Sequence, residues 1–61
     1  MSIWFTIIIE LQSKGMSHEQ CAREAGVTRK TVENWAAGRT EPPYSKAIKL
    51  LDVYTSVIGS T

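Results

Sequence analysis

Apolar residues recur along this chain every three or four positions, the period of α-helices that pack on one side. The first pattern runs from about Ser2 to Ser13 and ends at Gly15. Its Ile3, Trp4, Ile7, Ile8 and Leu11 share one broad face for a core, while Phe5 and Ile9 fall on the other side. The run Ile7-Ile8-Ile9 is β-branched and would suit a strand, but a lone strand has no partner here. A second pattern covers Ser17 to Ala25, with Cys21, Ala22 and Ala25 on one side. A third covers about Thr28 to Ala37, with Val32, Trp35 and Ala36 facing inward. The last begins near Tyr44 or Ser45. Its Tyr44, Ala47, Ile48, Leu51, Tyr54 and Ile58 share the face expected to meet the core. Leu50, Val53 and Val57 form a second stripe, more than a one-sided helix needs.

The two middle helices carry their own start and stop signals. Ser17 is a good N-cap, Gln20 completes a capping box with it, and Met16 is placed to staple onto Cys21. Thr28 caps the next helix, with Val27 placed to staple onto Val32. Gly26 stands where the first of the pair must stop, because a residue without a Cβ takes the left-handed conformation easily. So short a turn forces the helices to cross steeply, and the region at about 17–37 reads as a helix-turn-helix unit. Gly38 ends the second of the pair, and Arg39-Thr40-Glu41-Pro42-Pro43 makes a stiff polar connection.

On the third helix the same wheel that turns Val32, Trp35 and Ala36 inward turns Arg29, Lys30, Glu33 and Asn34 outward together. A helix fits the DNA major groove, where each base pair shows a distinct pattern of donors and acceptors. Arg29 has the paired donors that match guanine O6 and N7, and Asn34 the donor and acceptor that match adenine. Lys30 reaches a base edge or a phosphate. Glu33 would repel the backbone and is tolerable only deep in the groove, accepting from cytosine N4. With the cap Thr28, these residues are the expected base-reading set. On an isolated helix the same four would be a solvated face; the motif around them favours reading.

Composition narrows the field without adding chemistry. The 61 residues leave room for one domain, 1–61, with one small core of marginal stability. Hydrophobic residues at 43% suit a folded chain. The apolar run from Ile3 to Ile9 lacks a basic leader, is broken by Glu10 and falls far short of the ~20 residues that span a bilayer. One cysteine excludes an internal disulfide and fits a reducing cytoplasm. Cys21 and His18 lie one turn apart, too few ligands for a metal site, and supply no nucleophile–base–orienter trio. No enzyme activity, metal, cofactor, membrane or small-molecule ligand is therefore expected. A net charge of +1 is modest for a DNA binder, so placement of charge must matter more than its total.

Ala22, Gly26, Val27, Val32 and Trp35, followed by AAGRTEPP, resemble the helix-turn-helix of phage Cro and repressor proteins, the Cro/C1-type or XRE-like family. The resemblance is best from Met16 to Pro43 and looser on either side. It implies an all-α, lambda-repressor-like domain of four helices, with a fifth in many members. It also implies that the connection after the third helix lies along the sugar–phosphate backbone, giving Arg39 and Thr40 that role, with Ser17 and His18 at the start of the second helix. The family often has Gln where this chain has His18; the exchange keeps a donor but makes the contact pH-dependent. Such contacts position a protein without carrying sequence information.

The expected function is that of a small regulator, phage- or prophage-derived, which occupies a double-stranded DNA operator in a bacterial cytoplasm and excludes polymerase. Alternatives are an activator, excisionase or antitoxin-like regulator, or a protein-interaction module that keeps the fold without DNA contact. The apolar excess at Phe5, Ile9, Leu50, Val53 and Val57 predicts a homodimer interface, weak or completed only on DNA.

Overall fold

A computed structural model describes residues 3–59. Helix α1 spans Ile3–Ser13, α2 His18–Ala25, α3 Arg29–Ala37 and α4 Tyr44–Val57. The fold is all-helical, as the periodicity predicts, and of the lambda-repressor-like kind. Ser2, at the expected start of the first helix, lies outside the described residues.

The start of α2 is a reciprocal cap. The Gln20 amide donates to Ser17 Oγ at 3.2 Å, and the Ser17 amide donates to Gln20 Oε1 at 3.0 Å. At the start of α3 the Thr31 amide donates to Thr28 Oγ1 at 3.3 Å. Here Thr31 stands where a box would need Glu or Gln, so the cap is one-sided. Both helices end in the same way. Gly26 (φ 75°) and Gly38 (φ 78°) are left-handed, and the next amides reach back: Val27 to the Ala22 carbonyl at 2.9 Å and Arg39 to the Asn34 carbonyl at 3.0 Å. Glycine is required at 26 for that φ. Space does not set the requirement, since a Cβ there would meet Lys46 Nζ at 3.5 Å, an ordinary contact.

The core is wholly apolar among the described residues. It joins Trp4, Ile7, Ile8 and Leu11 of α1 to Cys21, Ala22 and Ala25 of α2, Val32 and Trp35 of α3, and Leu50 of α4. Met16 and Val27 pack half-buried against it, as stapling residues should. The three small side chains of α2 let α3 approach on one side and α4 on the other. Burial pushes the Cys21 thiol above its ordinary value, so it acts as a small hydrophobe. None of the described helices is long and apolar enough to cross a membrane.

Two expectations of facing need correction. Ile3 is 67% exposed and not part of the core. On α4 the expected core face is half right: Ala47, Tyr54 and Ile58 pack half-buried against the core, but Tyr44, Ile48 and Leu51 are 82%, 39% and 44% exposed, and from the second stripe Leu50 is wholly buried and Val53 and Val57 half-buried. The reason lies in the hydroxyls. Turning Tyr44 inward would bury a phenol without a partner, a cost that the aliphatic Leu50, Val53 and Val57 avoid. In the observed rotation Tyr44 stays in solvent, and the Tyr54 hydroxyl donates to Glu10 Oε1 of α1 at 2.5 Å. That bond, with burial and the carboxylate's charge behind it, raises the pKa of Tyr54. Leu50 therefore cannot serve a partner surface. Phe5 and Ile9, 41% and 45% exposed, do lie outside the core.

Trp35 is 2% exposed at the centre of this packing. Trp35→Ala should lower stability by about 3–5 kcal/mol, the range for emptying a large core position, which approaches the whole stability of so small a domain. A thermal melt checks it; an unchanged melt with lost DNA binding would instead place Trp35 at the DNA surface.

Candidate nucleic-acid interface

The outward side of α3 and the first turn of α2 form one surface. The turn at Gly26 and Val27 sets α3 against α2 so that the starts of both helices come together. A shallow cavity of about 200 Å³ marks the meeting place, lined by Gln12, Ser17, His18, Glu19 and Arg29. The first amides of a helix have no partner within it, and with the helix dipole they favour an anion. A phosphate approaching Ser17 and His18 thus meets a polarity that suits it, with the Arg29 guanidinium at the same cavity.

Along α3, Arg29 and Lys30 are exposed and Glu33 and Asn34 half-exposed, with Val32 and Trp35 buried beneath them. The expected reading set thus shares one accessible face, and Thr28 sits exposed at its head. Arg39 and Thr40 are exposed just beyond the helix end. Two contacts run along the face, one short and one long. Arg29 Nε donates to Glu33 Oε2 at 2.9 Å, one turn along the helix. Arg39 Nη1 donates to Asn34 Oδ1 at 3.4 Å, a long bond between a backbone-contact candidate and a base-reading one. Glu33 is therefore engaged by Arg29 rather than standing alone as an acceptor.

Gln12 and Glu19 are additions that sequence reasoning missed. Glu19 is polar surface on any helical wheel. Gln12 reaches the interface only because the end of α1 folds beside the start of α2, which no spacing in the sequence announces. None of the expected dimer residues joins this surface: Leu50 is buried in the core, Val53 and Val57 pack half-buried against it, and Phe5 and Ile9 are exposed on α1.

A capped helix pair with a left-handed glycine turn and a polar second helix resting on a tryptophan defines a helix-turn-helix DNA-binding domain. A family model for such helix-turn-helix domains matches residues 7–56, and the chain belongs to that family, the Cro/C1-type or XRE-like regulators. It is a DNA-binding helix-turn-helix regulator. Neither a curated protein nor a solved structure matches it.

Proposed function

We propose that the chain is a sequence-specific operator-binding protein of the Cro or repressor kind, phage- or prophage-derived, acting in the cytoplasm of a bacterial host. The whole chain forms one DNA-binding domain in this reading, and it regulates by occupying its site. The observation that carries it is the single accessible face on which Arg29, Lys30, Glu33 and Asn34 stand together beside the α2 N-terminus. Arg29 reads guanine, Asn34 reads adenine, and Lys30 and Thr28 contact a base edge or the adjoining backbone. Ser17, His18, Arg39 and Thr40 hold phosphates and fix the register.

The protein works as a symmetric dimer, because one helix reads only a few base pairs and two set one DNA turn apart discriminate far better. The second copy sits on the exposed stripe of α4, in place of the buried Leu50 stripe. Tyr44, Ile48 and Leu51 fall within an arc of about 60° on the helical wheel, and all three are exposed. When two α4 helices pair antiparallel about a two-fold axis, this same stripe of each copy meets that of the other. One self-complementary patch is all that such an interface needs.

The reading is tested by a selection of bound duplexes from a random pool, repeated with two variants. Arg29→Ala should lower specific affinity by about 1–3 kcal/mol and relax preference at one base pair. Arg39→Ala should weaken all sequences alike and flatten the salt dependence by about one unit of slope; its 3.4 Å bond to Asn34 is too long to hold that amide. An Arg29→Ala protein that selects the same consensus overturns the assignment.

For the dimer, Ile48→Asp with Leu51→Asp places like charges across the axis without touching the core. Sedimentation and melting should show a folded monomer, with operator affinity reduced by orders of magnitude and half-site contacts kept. Unchanged stoichiometry and affinity on the full site would rule this surface out.

A further inference from the structure

We infer that Glu33 is a positioning residue for Arg29, one that raises discrimination while lowering affinity for DNA in general. The inference rests on the base-reading role of Arg29 and deepens it. An acidic side chain on a surface meant for phosphates needs an explanation, and the geometry supplies one. Glu33 Oε2 takes the Nε–H of Arg29 at 2.9 Å from one helical turn away. Nε is the inner donor of the guanidinium, so this contact leaves the terminal Nη1 and Nη2 groups for a base edge. Those are the donors that a bidentate contact to guanine O6 and N7 uses when arginine meets the base end-on.

Both groups reach solvent: the Arg29 side chain is 66% exposed and that of Glu33 36%, so the paired guanidinium stays accessible to DNA. Without the carboxylate, a long exposed side chain would sample many rotamers and would swing to the nearest phosphate as readily as to a base. With it, Arg29 is held by its stem in one orientation before DNA arrives, which removes part of the ordering cost of binding. The negative charge also disfavours any complex in which Arg29 follows the backbone and leaves Glu33 beside a phosphate. A wrong sequence is thus penalised twice, by a lost guanine contact and by an uncompensated carboxylate. Such a device suits a chain with a net charge of only +1, where weak general attraction leaves discrimination to local contacts.

The test compares wild type, Arg29→Ala, Glu33→Gln and the double variant on the selected operator, on operators changed at the base pair where Arg29→Ala relaxes preference, and on mixed-sequence duplex. Melting shows that each variant is folded. Glu33→Gln should bind mixed-sequence DNA more tightly than wild type, yet lose about three- to tenfold of its discrimination at that base pair, the worth of pre-ordering one long side chain. In the Arg29→Ala background the same change should leave discrimination there unaltered, since Glu33 acts only through Arg29. A Glu33→Gln protein that discriminates as well as wild type, or better, overturns the proposal and makes the pair a mere surface contact or a brake. Equal losses in both backgrounds also overturn it, because Glu33 would then read a base itself. If Arg29→Ala alone relaxes no position, it is the base-reading role that has failed; the single variant shows this, and the proposal falls with it.

Discussion

The left-handed turn at Gly26 is the constraint on which the remaining geometry depends. Its φ of 75° lets Val27 return an amide to the Ala22 carbonyl, so that carbonyl at the end of α2 is satisfied as the chain reverses. The crossing that follows can be tight only because α2 offers Cys21, Ala22 and Ala25 to its neighbours. Larger side chains there would push α3 outward and lift Trp35 from its seat. The consequence is functional as well as structural. Reversing within two residues brings the start of α2 and the start of α3 to one surface, so the groups proposed to hold phosphate and those proposed to read bases stand side by side.

The parts of this arrangement written in local chemistry were legible in the sequence. Ser17 with Gln20, Thr28, Gly26 and Gly38 state where helices begin and end through hydrogen bonds made within a few residues. The face of α3 followed from periodicity, because it carries one apolar side and one that is clearly polar; on α1 Trp4, Ile7, Ile8 and Leu11 followed too, although Phe5 and Ile9 leave its other side partly apolar. Where a helix had two apolar sides, periodicity lost its power. On α4 the Leu50 and Tyr44 stripes are both hydrophobic, and the choice fell to tertiary terms: a place for the phenol hydroxyls and a carboxylate from α1 for Tyr54. Ile3 shows a different limit. It lies at the edge of the α1 core face and at the helix end, where no described residue covers it.

The DNA-facing site divides along the same line. That Arg29, Lys30, Glu33 and Asn34 point outward together needs only a helical wheel and the certainty that Val32 and Trp35 point inward. The four-residue spacing of Arg29 and Glu33 even permits their ion pair, though spacing alone does not say which donor is used. The Nε contact that leaves the guanidinium end open is a rotamer-level fact. Gln12 is a still more distant one, since it joins the site through the return of α1 against α2.

Charge distribution gives these details their weight. An exposed ion pair contributes little to stability, often under ~1 kcal/mol, so the Arg29–Glu33 pair does not hold the fold together. Its effect lies in what each partner can do next. A strongly basic protein binds any DNA through phosphate contacts, and its specificity must then be won against a large background of non-specific sites. A nearly neutral chain starts from a lower background, and each carboxylate near the reading face lowers it further. Glu33 on α3 and Glu19 at the head of α2 are therefore compatible with DNA recognition when cations stand in front of them. In such a protein the total charge limits how firmly it holds DNA of any sequence, and in the proposed reading the placement of a few side chains on α3 decides which sequence it prefers.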